Sequence, residues 1–228
     1  MTFDKNSEAI ARRAMSEIKP TLTESFVALT RFLSIYPKYA SSSKSRKGPA
    51  IGSEAYIVAV ANNFTNGRDP KRPAPPETIP DEMVSFVLEH YFDVPTESLD
   101  RAKHEHALSM GAEGIVGDLL ERYLASVLEP QGWIWCSGSL VKAVDFVLPP
   151  TNLNGAWRLL QVKNRNNSEN SSSSAIRKGT NIEKWHRTFS KKKGENWSAF
   201  PDETAKGKIS AAGFRIFVTA YLEDLKAR

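Results

Sequence analysis

Asp145, followed by Gln161 and Lys163, supplies the residue types and spacing in this chain that could do chemistry. The three fall in two apolar runs, LVKAVDFVL and AWRLLQVK, joined by the turn-rich segment PTNLNG. Side chains alternate between the faces of an extended strand. Val144, Phe146 and Leu148 are therefore expected to pack inward, with Asp145 opposite them beside Ala143 and Val147. On the second strand Leu159, Gln161 and Lys163 share a face. Pairing across the turn brings a carboxylate, an amide and an ammonium together at the open end of the hairpin. Phosphodiester hydrolysis is a chemistry that needs such a set. A carboxylate holds Mg²⁺, a second oxygen shares it, and a lysine orients or activates the attacking water and offsets charge in the phosphorane-like transition state. Mg²⁺ suits the arrangement because it takes few protein oxygens and keeps water and substrate oxygens as ligands.

The elements that must position these residues follow from periodicity. From Met110 to Leu128, apolar residues recur at helical spacing, including Ile115, Leu119, Leu120, Leu124 and Leu128, and Pro130 and Gly132 end that helix. WIWCSG, LVKAVDFVLP and AWRLLQVK then predict a three-strand meander, and FRIFVTAYL a closing strand. Upstream, Ile10 to Leu33 has helical spacing broken at Pro20. AYIVAVANNF and DEMVSFVLEHYF read as helices, and residues 66–80, with five prolines, as a loop or wrapping arm. The prediction is one mixed α/β domain spanning 1–228, with a mainly helical part over 1–105 and a catalytic core with a DNA-contacting segment over 106–228.

A neutral amide binds Mg²⁺ less strongly than a carboxylate, so Gln161 leaves the site short of negative charge. Three glutamates could complete it. Glu113 is placed first, because it shares a helix face with Val116, Leu120 and Leu124, an inward setting where a carboxylate needs a partner. Glu121 is read as nearer the solvent edge. Glu169 lies in the polar run beyond Lys163.

Charge is strongly segregated. The net charge is +5, yet residues 77–131 hold 12 acids against 3 Lys or Arg, and residues 163–193 hold 9 Lys or Arg against 2 acids. A basic stripe beside an acidic body points to a polyanion held on one face. Arg68, Lys71 and Arg72, on the proline-rich arm, could touch phosphates, as could His186. With 40% hydrophobic residues there is material for a core. The N-terminus carries charges where a signal peptide has its apolar region, and no membrane span is predicted, so the chain reads as cytoplasmic. A single cysteine, Cys136, excludes an intrachain disulfide and reads as a packed strand residue. His104 and His106 lack the spacing of a zinc helix motif. Trp185 and Trp197 read as packing residues rather than stacking platforms.

Asp145 with Gln161-Val162-Lys163, after a helix carrying a glutamate, resembles the PD-(D/E)xK nuclease superfamily in a QxK variant. That implies a nuclease core with a central mixed sheet flanked by helices. Val144 stands where that pattern has proline. More narrowly, GDLLERYL, GWIWCSG, VKAVDFVL, LLQVKNRNNSENSSSSAIR and IEKWHR resemble the SinI restriction endonuclease family. The resemblance implies a Mg²⁺-dependent type II endonuclease cutting double-stranded DNA at the near-palindrome GGWCC. A near-palindromic site in turn implies a homodimer, and a cognate DNA methyltransferase would protect the host. Sequence readers in related enzymes sit just past the catalytic lysine. Here Arg165, Asn167, Glu169, Asn170 and Arg177 hold the side chains that pair with guanine, adenine and cytosine edges. Lys178, Lys184, Arg187 and Lys191 to Lys193 are read as phosphate contacts. Two rivals remain: a repair or modification-dependent nuclease, and a DNA-binding protein without catalysis.

Overall fold

Pro20 divides the first helical stretch as its missing N–H requires. Helix α1 spans Ser7–Ile18, a 3₁₀ turn follows over Pro20–Leu22, and α2 runs Thr23–Ile35. The computed structural model describes residues 2–42, 48–152, 155–166 and 179–228. AYIVAVANNF is helical, within α3 (Glu54–Asn66), whose N-cap Ser53 accepts from the Tyr56 amide. After the irregular proline-rich segment, α4 spans Glu82–His90 and is capped by Asp81. The long helix α5 covers Leu99–Leu128, so it begins well before Met110 and crosses the 105/106 boundary without a break.

Four strands follow, β1 (Ile134–Trp135), β2 (Phe146–Leu148), β3 (Arg158–Arg165) and β4 (Ile182–Thr188), hydrogen-bonded in that order. The first three form the expected antiparallel meander, and β4 lies parallel to β3, with Gln161 beside Lys184 and Lys163 beside His186. A short helix α6 (Glu203–Lys206) and α7 (Ala211–Ala227) complete the described elements. The strand expected at FRIFVTAYL is instead part of α7. Ser210 caps it by accepting from the Gly213 amide, and Phe214 and Tyr221 turn towards α5 at helical spacing.

The sheet is covered on both faces. Val144, Val147, Leu159 and Ile182 pack against α1–α3, while Phe146, Leu160, Val162 and Trp185 pack against α5, α6 and α7. The double cover explains why β2 is a continuous apolar run with Phe146 and Val147 both fully buried, where strict alternation was expected. LVKAVDFVL is also only partly a strand. Its first half is a turn, with Ala143 at φ 59 and Val141 bridged to Ala40. Asp145 thus sits where the turn enters the sheet.

Arg122 of α5 ties the helical layer to the site. Its guanidinium pairs with Asp118 at 2.5 Å and donates to the carbonyls of Gly67, Arg68 and Asp69. Its side chain is 8% exposed. Arg122→Met should leave those carbonyls without their donor and Asp118 with Lys71 alone, costing about 3–5 kcal/mol in urea unfolding. A loss near zero would show that the arm is held by other contacts.

Candidate active site

Asp145 is fixed by the backbone on both sides. Its amide donates to the Leu160 carbonyl at 2.9 Å, its carbonyl accepts from the Cys136 amide at 2.8 Å, and its Oδ2 accepts from the Val162 amide at 2.7 Å. The carboxylate is therefore oriented by the strand that carries Gln161 and Lys163. All three side chains line a cleft of about 520 Å³, together with Asp118 and Glu121 of α5 and Lys71 of the arm. The hairpin convergence expected from alternation is present.

The glutamate in that cleft is Glu121. Its Oε2 accepts from Trp135 Nε1 at 3.0 Å, which anchors it to β1. Glu113 is exposed, two turns earlier on the helix, and does not line the cleft. Its expected inward setting is thus corrected: the face it shares with half-buried Val116 and fully buried Leu120 and Leu124 runs out to solvent at Glu113. Glu169 lies outside the described residues.

Burial dominates the electrostatics. It pushes Asp145 up to about 6, against the opposing pull of the Val162 amide and the Lys163 ammonium. Burial, then the charge of Asp145, pushes Glu121 up to about 7, with Asp118 adding to the rise and Trp135 and Lys163 opposing it. The two carboxylates repel each other at one spot. Beside them Gln161 is 2% exposed, and its Oε1 has no hydrogen-bond partner among the described residues. A buried amide oxygen without a donor costs free energy. One cation would accept that oxygen and offset both carboxylates. Among the described residues no three of His, Cys, Asp and Glu group as metal ligands, and the oxygens that Asp145, Glu121 and Gln161 bring to the cleft are two carboxylates and an amide. Such an all-oxygen set fits Mg²⁺.

Several expected DNA contacts are otherwise engaged. Arg68 pairs with Glu129 and lies over the Phe64 and Trp135 rings, a structural role that replaces the expected phosphate contact. Lys71 pairs with Asp118 at 2.6 Å at the cleft edge, while Arg72 is exposed. Arg187 is held by Asn164, Glu195 and the Phe214 ring. Arg165 is exposed at the end of β3, and Lys184 is half-buried on β4. Asn167, Glu169, Asn170, Arg177 and Lys178 lie outside the described residues. Trp185 is buried against Trp197 and Phe200, in the packing role expected of it. Cys136 is buried as well, and burial raises its thiol far above the ordinary range. No helix among the described residues is long and apolar enough to cross a membrane.

A mixed α/β fold thus brings carboxylates, a buried amide and a lysine into one cleft. The profile of the SinI restriction endonuclease family matches residues 7–224. Over 225 residues the chain is 52% identical to type II restriction enzyme SinI of Salmonella infantis, covering 98% of this chain and 97% of the relative. Over 222 residues it is 50% identical to type II restriction enzyme Eco47I of Escherichia coli, covering 97% and 96%. The chain belongs to the SinI restriction endonuclease family, and its enzyme class is that of type II, site-specific endonucleases.

Proposed function

We propose that this chain hydrolyses both strands of double-stranded DNA at GGWCC with Mg²⁺, acting as a homodimer from a variant PD-(D/E)xK core. The carrying observation is the unpartnered Gln161 Oε1 beside two carboxylates held above their ordinary range. Asp145, Glu121 and Gln161 would hold the metal; when bound, it lowers the pKa of water and neutralises phosphate charge. Asp145 keeps one oxygen on the Val162 amide and leaves the other for the cleft. Lys163, exposed at the cleft edge, orients the attacking water and offsets charge on the phosphoryl oxygens. Trp135 holds Glu121 in place through its indole N–H. Arg165, with Asn167, Glu169, Asn170 and Arg177 by their side-chain chemistry, would read the base edges, and a cognate methyltransferase is the expected genetic partner.

Digestion of a sequenced, unmethylated plasmid, mapped to the base, tests the reading. Discrete Mg²⁺-dependent fragments ending at GGWCC are expected. Fragments only from methylated plasmid would indicate the modification-dependent nuclease instead, and binding without cutting would indicate a non-catalytic protein.

The carboxylate pair also sets a pH dependence. Both groups bind protons more tightly folded than unfolded. Their contribution to stability is therefore full below their ordinary range near pH 4 and is lost as pH rises through about 6 and about 7. Without Mg²⁺, Tm should fall between about pH 5 and about pH 8. Added Mg²⁺ should restore it at the higher pH, where the ligands are ionised, and do little at the lower. Equal Mg²⁺ shifts at both values would count against this pair as the metal site.

A further inference from the structure

Apolar exposure is concentrated in one part of the molecule. Of the thirteen exposed large apolar residues among those described, nine fall between Ile79 and Met110. Helix α4 buries none of its own residues. Ser85, Leu88 and Glu89 make its half-buried side, and the opposite side presents Met83, Val84, Phe86 and Val87 to solvent. Ile79 before the helix is 94% exposed and Tyr91 after it 77%. On α5, Leu108 and Met110 are exposed as well.

A helix normally buries its apolar stripe, so this face needs an occupant. Two observations point to a second copy of the chain. The segment is acidic, with 12 acids against 3 bases over residues 77–131, which disfavours a DNA backbone there. Glu82 and Glu89 lie off the apolar side at helical spacing, so two such faces can meet without opposing carboxylates. His90 stacks on Phe86 with ring centroids 4.0 Å apart, extending the flat surface. The area is also sufficient. At the observed exposures, and with roughly 150–250 Å² for a large side chain, the seven residues from Ile79 to Phe92 offer on the order of 800 Å², against about 800 Å² per partner in a standard interface.

We propose that α4, with the adjoining surface of α5, is the dimer interface, closing as a two-fold bundle of four helices. The inference rests on the homodimer reading and gives it a location. The interface then lies on the helical layer, on residues that do not line the catalytic cleft.

Sedimentation of the full chain tests it. Wild type is expected to run as a dimer at micromolar concentration, and the double variant Met83→Glu with Phe86→Glu as a monomer with unchanged circular dichroism. The replaced side chains are already exposed, so folding should survive. If the glutamates unfold the chain, single Met83→Cys, Phe86→Cys and Val87→Cys variants decide the matter. Cys136 is buried, so a covalent dimer on mild oxidation reports contact between α4 helices. Wild type running as a monomer overturns both the interface and the homodimer, while plasmid digestion still reports on cutting. A dimeric double variant, or no crosslink from any cysteine variant, overturns the interface alone.

Discussion

Asp145→Asn is expected to lower the single-turnover rate on a labelled GGWCC duplex by at least about 10³-fold, or roughly 4 kcal/mol of transition-state stabilisation. The same change should leave the metal-free protein as stable as wild type or more so. Asparagine keeps an oxygen for the Val162 amide, yet removes the charge that helps hold Glu121 up to about 7. Lost activity with a maintained or higher Tm separates a catalytic role from a structural one. Lys163→Ala should show the same loss of rate. Cutting at the wild-type rate by either variant would sink the assignment.

Glu121→Gln is expected to cost about 100-fold in the same assay, near 2.7 kcal/mol, because one ionised ligand is lost. Glu113→Gln should stay within about twofold, since an exposed surface substitution away from the cleft is usually near neutral. The two substitutions alter the same side chain on the same helix, which removes charge and helix propensity as explanations of a difference. If Glu113→Gln were the damaging one, the helix would have to meet DNA two turns earlier than the cleft suggests.

The contrast between these glutamates shows where sequence reasoning stops. That Asp145, Gln161 and Lys163 converge on one cleft was legible because side chains alternate along paired strands. Periodicity on α5 identifies an apolar stripe, but not which turn meets the sheet. That depends on contacts between different elements, such as the Trp135 indole donating to Glu121. A tryptophan on a strand after a short helix–strand connection is compatible with such a contact but does not specify it. For FRIFVTAYL, β-branched and aromatic residues imitated a strand. The better signal was present: Ser210 with Gly213 forms a cap, and Phe214, Val218, Tyr221 and Leu225 recur at helical spacing. The turn before Asp145 was hidden for a different reason, since its backbone bonds run to distant residues, the Ser41 amide donating to the Leu140 carbonyl and the Lys142 amide to that of Tyr39.

The helical layer and the catalytic sheet also meet backbone to backbone. A Cβ built on Gly67, at the end of α3, would lie 2.3 Å from the Gly138 amide nitrogen, and one on Gly138 would lie 2.2 Å from the Asn63 carbonyl oxygen. Gly138 also has φ 79, a conformation that suits glycine. Neither position can gain a side chain unless the other segment retreats, and the segment after Gly138 leads into Asp145. In evolutionary terms the N-terminal helices are not an interchangeable module. A chimera that takes them from a relative lacking this glycine pair would shift the nuclease centre with the graft, so the two halves must change together.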